Sequence, residues 1–350
     1  MVETDRSQVG DLARRLFADL ADPQSILAGH EGWHDTLWEA LEDAMLPRAW
    51  AAEGVGGAGL TAWEAGQIAE AAGAFALGVP LVETMVAHHW AARAGLALPA
   101  GPIGVGPSRL GDRIVCDDGG RLTGVMRDLP WESGPLMVAV EHGDVLVLAL
   151  VEREQCVLQE QPGLSGDQRV VARLNNVMPM ATGETRGAQI DLQSCAAAMR
   201  ATQIGGALRW VLDAAVVYAG ERRAFGRTLS KFQAVQHHLA RLAGEVCAAE
   251  VGAGVALQAL DRGGANFEAA AAKVRADEAA TEGAAIGHQV FGAIGFTAEH
   301  VLHRYTTRLL AWRDDYGSGP EWAAYLGRLA ASSGGDGFWN KTAPLEGVRP

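Results

Sequence analysis

Apolar residues recur three and four positions apart through the first quarter of the chain. LARRLFADLA (12–21), LWEALEDAM (37–45), WEAGQIAEAAGAFAL (63–77) and PLVETMVAHHWAARAGL (80–96) each carry an apolar stripe, which predicts a helical domain over residues 1–100. Pro80 stands where a first helical turn accepts proline, because its missing N–H would have no intrahelical partner. The period then changes. Between 101 and 190, Gly, Pro and Asp punctuate short runs rich in Val, Leu and Ile: RIVCDD, GRLTGVM, LMVAVEHGDVLVLALV, QCVLQEQ and RVVARL. These predict a small middle β domain, with His142-Gly143-Asp144 as a hairpin turn. From 191 to 332 the helical period returns in Ala- and Leu-rich segments. Long apolar faces at 197–219, 230–260 and 268–293 suit antiparallel packing in a four-helix bundle. Residues 333–350, with recurring Gly, Ser and Pro, predict an irregular tail. The expected fold class is α+β.

Composition narrows the function. At 350 residues, 49% of them hydrophobic, the chain has enough material for a full core in one large domain or two to three smaller ones. No stretch stays apolar for the roughly 18 residues of a membrane span. MVETDRSQVGDLARRL lacks the basic start and apolar run of a secretion signal, so the cytoplasm is the expected compartment, with no membrane partner. A net charge of −13 argues against nucleic acid, which wants a basic face. Cys116, Cys156, Cys195 and Cys247 are scattered without a CxxC pair, so neither a metal site nor a disulfide framework is expected. Gly54, Gly56 and Gly59 in AEGVGGAGL have GxGxxG spacing. A helical segment, not a strand, precedes them, so the spacing reads as coincidence rather than as a dinucleotide-binding turn.

Two stretches carry candidate chemistry. YAGERRAFGRTLSKFQAVQHHLA (218–240) sets Arg222, Phe225 and Gln233 along one connected helical unit. A forked permanent cation suits a phosphate, an aromatic face suits a purine, and an amide suits either. The plain reading beside it is a basic helix end, a Gly turn and the next helix start. HQVFGAIGFTAEHVLHRYTTR (288–308) reads as a helix ending at glycine and a second helix capped by Thr297, with Gly292 and Gly295 permitting close backbone approach.

These stretches, together with the order helices, β domain, helical bundle, resemble the acyl-CoA dehydrogenase family across most of residues 30–330. AEGVGGAGL then resembles the family's Gly-rich loop between early helices. The resemblance implies FAD as cofactor. It places Arg222, Phe225 and Gln233 against the pyrophosphate and adenine end of an FAD shared with a neighbouring subunit. It places Gln289 and the backbone at Gly292 and Ala293 against the adenosine part, with Ala293 where the family usually has a second glycine.

The chain also departs from the family. Many members carry a catalytic Glu followed by Gly-Thr. Counted without gaps, that Glu position falls on Tyr316, followed by Gly317-Ser318. A phenol with a pKa of about 10 is a poor base at neutral pH. Asp314 and Asp315 lie just before it, and Asp315 is the candidate catalytic base if the alignment shifts by one. The alternative base position on the preceding helix matches Cys195 to Ala198, with no acid. The family's Thr-Glu-Pro and Gly-Ser-Asp element, which contacts the flavin ring, is replaced by GPIGVGPSRLGD (101–112), with Ser108 as its only hydroxyl.

A chain that keeps the distal FAD contacts and loses the ring contacts resembles one subunit of the heteromeric (α2β2) steroid-CoA type acyl-CoA dehydrogenases. The implied activity is FAD-dependent α,β-dehydrogenation of a bulky, steroid-derived acyl-CoA thioester. The implied partners are a second acyl-CoA dehydrogenase subunit, or further copies of this chain, and electron-transfer flavoprotein as acceptor. Two alternatives stay open: a self-sufficient flavoenzyme with Asp315 as base, and a non-catalytic partner subunit.

Overall fold

A computed structural model describes residues 8–27, 35–131 and 133–342. Among the described residues, five helices come first: α1 (Gln8–Leu20), α2 (Pro23–Leu27), α3 (Asp35–Asp43), α4 (Ala62–Ala74) and α5 (Leu81–Arg93). Thr61 starts α4 with a capping box. Its Oγ1 accepts from the Glu64 N–H at 3.2 Å, and Glu64 Oε2 accepts from the Thr61 N–H at 2.9 Å. Residues 53–55 form a 3-10 turn after a helical segment, so Gly54, Gly56 and Gly59 do not stand between a strand and a helix.

Two four-stranded sheets follow. One is ordered β1 (Gly104–Gly106), β4 (Leu136–His142), β5 (Val145–Val151), β8 (Ala181–Arg186), with only the β1–β4 pair parallel. The other is ordered β2 (Ile114–Cys116), β3 (Leu122–Pro130), β7 (Arg169–Val177), β6 (Val157–Gln161) and is antiparallel. Between the sheets lie Met126, Leu129, Trp131, Val138, Val140, Ala149, Val170 and Ala172. Alternate residues of β4 and β5, such as Met137, Ala139, Leu146 and Leu148, join the core of the N-terminal helices instead. Cover on both faces explains why these two strands read as unbroken apolar runs. The β4–β5 turn falls at Gly143-Asp144, as the sequence implies.

The bundle is built on α6 (Gln189–Glu221), α7 (Gln233–Asp261) and α8 (Asn266–Phe291), with α9 (Leu302–Trp312) beside them. Its interior is mostly alanine, so helix axes come close. A Cβ on Gly206 of α6 would meet Glu70 O at 2.0 Å, and one on Gly73 of α4 would meet Gln203 O at 1.8 Å. Main chain touches main chain, and neither side can give way. We expect Gly206→Ala to lower the unfolding free energy by about 2 kcal/mol or more, read as a lower urea midpoint. Tyr305 locks α9 across this junction: its ring stacks on Trp210 at 3.7 Å and its hydroxyl donates to Ala74 O at 2.8 Å.

Two expectations are corrected. Thr297 does not cap α9. Residues 292–296 continue as a 3-10 turn, Thr297 Oγ1 donates back to Ile294 O at 2.9 Å, and α9 starts only at Leu302. The tail is not irregular where it is described: α10 (Gly319–Thr342) runs through it, broken at Gly334 (φ 68°, ψ 172°). An edge-on contact between Phe338 and Phe267 of α8, with centroids 5.9 Å apart, gives this segment an apolar anchor. Residues 343–350 of the expected tail lie outside the described residues.

His88 on α5 is 8% exposed. Burial, helped by the nearby Arg48 charge, pushes its pKa down to about 4. Because the folded value lies below the unfolded one, its contribution to stability is complete above about pH 6.5 and is lost as pH falls from there through about 4. The expected loss is on the order of 2 kcal/mol, and His88→Gln should flatten that part of the profile of urea midpoint against pH.

Candidate functional site

The antiparallel bundle gathers the C-terminus of α6, the N-terminus of α7 and the C-terminus of α8 at one end. The Tyr218 ring stacks on Phe291 at 4.5 Å, and its hydroxyl donates to Phe291 O at 3.3 Å, joining α6 to α8. Arg222 ends α6, its N–H donating to Tyr218 O at 2.8 Å, and its C=O accepts from the Leu229 N–H at 2.9 Å. Between them lies a small hairpin of β9 (Arg223–Ala224) and β10 (Arg227–Thr228). Phe225 and Gly226 form its tip with φ of 52° and 81°, both in the left-handed region that a tight primed turn requires.

The candidate residues therefore converge. Arg222, Gln233 at the first position of α7, and Gln289 in the last turn of α8 are all exposed. Gly292 and Ala293 follow on the surface, with Gly292 at φ 67° and ψ −144°. Phe225 is 95% exposed, its ring edge against Phe232 at 6.3 Å. Arg222 makes no ion pair among the described residues. A free forked cation, an open aromatic face and two amides can together receive a nucleotide pyrophosphate and its base.

The position of the family base is different in kind. Asp315 and Tyr316 lie just past α9 and are wholly buried. Both carboxylate oxygens of Asp315 are engaged. Arg169 of β7 bonds it in a fork, and Arg200 Nε of α6 lies 3.2 Å from Oδ2. Arg200 also bonds Glu83 of α5 and Gln203, and the Trp312 and Tyr316 rings lie 5.6 and 5.8 Å from its guanidinium carbon. This network joins α5, β7, α6 and the turn after α9, which are parts of all three regions of the fold. The space left beside it is about 40 Å³, room for one water and not for a thioester.

Tyr316 sits at φ 53°, and its buried hydroxyl has no partner among the described residues. Burial, reinforced by the Glu83 charge, pushes the phenol well above its ordinary value, so it does not ionise to act as a base. Its N–H donates to Ser108 Oγ at 3.0 Å. The one hydroxyl left in the altered β-domain element is therefore spent on the altered base position. Lys273 of α8 secures the turn: its Nζ donates to Asp277 at 2.7 and 2.9 Å, to Arg313 O at 2.6 Å and to Gly317 O at 3.0 Å.

Sequence reasoning finds Asp315 but not its partners. Asp315 is a strut whose lone pairs already serve two guanidiniums, which is not the state of a general base. Glu83, Arg169, Arg200 and Lys273 escape notice. The available signal is a lone charge in an apolar helical run, as in CAAAMRATQIGGAL around Arg200.

Residues 192–313 match the acyl-CoA dehydrogenase C-terminal domain. The acyl-CoA dehydrogenase IpdE2 of Mycolicibacterium smegmatis is 27% identical over 310 residues, 86% of this chain and 92% of the relative. Residues 192–313, the helical bundle, belong to the acyl-CoA dehydrogenase family. FadE34 of Mycobacterium tuberculosis is 32% identical over 178 residues, which are 49% of this chain and 24% of FadE34. Glutaryl-CoA dehydrogenase of Desulfococcus multivorans is 38% identical over 96 residues, 27% of this chain and 25% of the relative. The matched segment is thus only about a quarter of each of those two relatives. A solved variant of the Tcur3481–Tcur3483 steroid ACAD superposes with a TM-score of 0.84 at 27% identity, over 94% of this chain and 98% of that one. The acyl-CoA dehydrogenase fold is shared further with the ChsE4–ChsE5 complex of Mycobacterium tuberculosis, with a TM-score of 0.81 at 20% identity over 96% and 99% of the two chains.

Proposed function

We propose that this chain is one subunit of an FAD-dependent acyl-CoA dehydrogenase assembled from two unlike family members. It grips the distal end of an FAD whose reactive ring lies in the partner. The observation that carries this reading is the contrast between the two ends of the molecule. The bundle end presents Arg222, Phe225, Gln233 and Gln289 exposed to the outside. The cleft at Asp315 and Tyr316 is filled by the chain's own charges and rings.

The residues present fit one part of FAD and not the other. At the bundle end, Arg222 would hold the pyrophosphate, Phe225 would stack on adenine, and Gln233, Gln289 and the backbone at Gly292 and Ala293 would take the adenosine part. At the other end, Ser108 Oγ already accepts from the Tyr316 N–H, and the space beside Asp315 is only about 40 Å³. FAD supplies the hydride acceptor for oxidation of the acyl thioester. This chain's part is to bind and orient the cofactor, and the base comes from the partner. Exposed Val216 and Val217 on α6 and Val251 and Val255 on α7 give the bundle an apolar exterior that suits burial against another subunit.

The likeness to a steroid ACAD and to a complex of two named chains supports a bulky, steroid-derived acyl-CoA as substrate and a hetero-oligomer as the working form. Electron-transfer flavoprotein is the acceptor proposed on family grounds. An assay of dye reduction with a steroid-derived acyl-CoA thioester tests the reading. Turnover is expected only when an unlike family member is co-purified with this chain. Turnover by this chain alone would overturn the division of labour and return Asp315 as a base.

A further inference from the structure

Gly292 ends α8 at φ 67° and ψ −144°, with its N–H donating to His288 O. The 3-10 turn Gly292–Phe296 then folds onto the His288 side chain. The Phe296 ring lies on the imidazole, with centroids 4.1 Å apart and planes at 20°. Gly295 is buried beside the same ring: a Cβ there would stand 3.4 Å from His288 Nδ1, 3.0 Å from Phe291 Cβ and 2.8 Å from Leu302 Cδ2. The imidazole also reaches α9. Thr306 Oγ1 donates to His303 O at 3.3 Å, so it accepts from His288 Nε2 at 2.9 Å, and the ring proton sits on Nε2. One side chain thus ties together the end of α8, the turn and α9. Ile294 and Phe296 are exposed, so apolar burial does little to hold the turn, and the imidazole is what its aromatic side chain rests on.

We propose that His288 is a positioning residue for the adenosine end of the cofactor: the imidazole fixes the 292–296 turn so that the backbone at Gly292 and Ala293 is presented in one conformation. This role rests on the reading of the bundle end as an FAD grip. His288 acts through the main chain and makes no contact with phosphate or base. A turn ordered before binding loses no backbone freedom when the ligand arrives, so the ligand is held more tightly. The stack on Phe296 and the Nε2–H bond to Thr306 are the two contacts that impose this order, and a side chain that lacks both lets the turn fray.

The test uses the co-purified assembly with its flavin, as wild type, His288→Leu, His288→Gln and Arg222→Ala. The rate of flavin release is followed as the rise of free-flavin fluorescence, and amide hydrogen exchange is followed across residues 285–305. Leucine has neither a planar face nor a donor, whereas glutamine places an amide N–H where Nε2 stands. His288→Leu should release flavin about 10-fold faster and exchange faster at 292–301, with the rest of the bundle and the urea midpoint unchanged. His288→Gln should restore both readouts to within about 3-fold of wild type. Wild-type release by His288→Leu, faster release without faster exchange at 292–301, or release by His288→Gln as fast as by His288→Leu would overturn the role. Exchange that rises through the whole bundle would make His288 a residue of general stability instead. Arg222→Ala separates the two claims. If it loses flavin quickly while His288→Leu does not, the positioning role fails and the FAD grip stands. If it keeps its flavin, the grip fails and the positioning role falls with it.

Discussion

Arg200→Met lowers the unfolding free energy by about 3–5 kcal/mol, the usual cost of removing one partner from a buried charge network. Arg200 is 1% exposed and is the only cation bonded to Glu83 among the described residues. Without it, Glu83 is a buried carboxylate with no counter-charge, and Asp315 keeps only Arg169. The measurement is the urea midpoint, expected to fall by on the order of 1 M. A double-mutant cycle sharpens it. Pairing Arg200→Met with Glu83→Leu removes the stranded charge and should recover part of the loss, because the two substitutions share one interaction. A midpoint within about 0.2 M of wild type would contradict the view that this network closes the cleft.

Arg222→Ala separates stability from flavin retention. Arg222 is exposed and ion-paired to nothing among the described residues, so the urea midpoint should hold within about 0.5 kcal/mol of wild type. Flavin retention should not hold. Loss of a charged, forked donor to a pyrophosphate weakens binding by about 100-fold, and the co-purified assembly should leave gel filtration largely colourless. The pair of readouts separates a cofactor role from a structural one. A variant with full flavin, or one that loses flavin only as it unfolds, would remove Arg222 from the site.

The architecture was legible in the chain because its signals are local. The change of hydrophobic period from helical to alternating and back marks the three regions, and Gly143-Asp144 marks a hairpin by itself. The bundle end was legible for the same reason: Arg222, Phe225 and Gln233 lie within one short stretch, and antiparallel packing brings the α8 residues to them. The helical continuation past Ser332 was not legible. It depends on Phe338 meeting Phe267, a contact between residues far apart in sequence, in a segment whose glycines argue for a loop. The filled cleft was not legible either. Glu83, Arg169, Arg200 and Asp315 come from four separate segments, and no spacing rule joins them. Tyr316 pointed to the loss of a base, but only the folded chain shows Asp315 committed to two arginines.

The most direct measurement of the central claim is flavin content, read as visible absorbance per mole of this chain. It is taken on the chain purified alone and on the chain purified after co-expression with an unlike acyl-CoA dehydrogenase subunit. A shared site predicts no flavin in the first sample and about one flavin per pair of unlike chains in the second. One flavin per chain in the protein purified alone would contradict it, because the cleft at Asp315 and Tyr316 would then have to open and hold the ring.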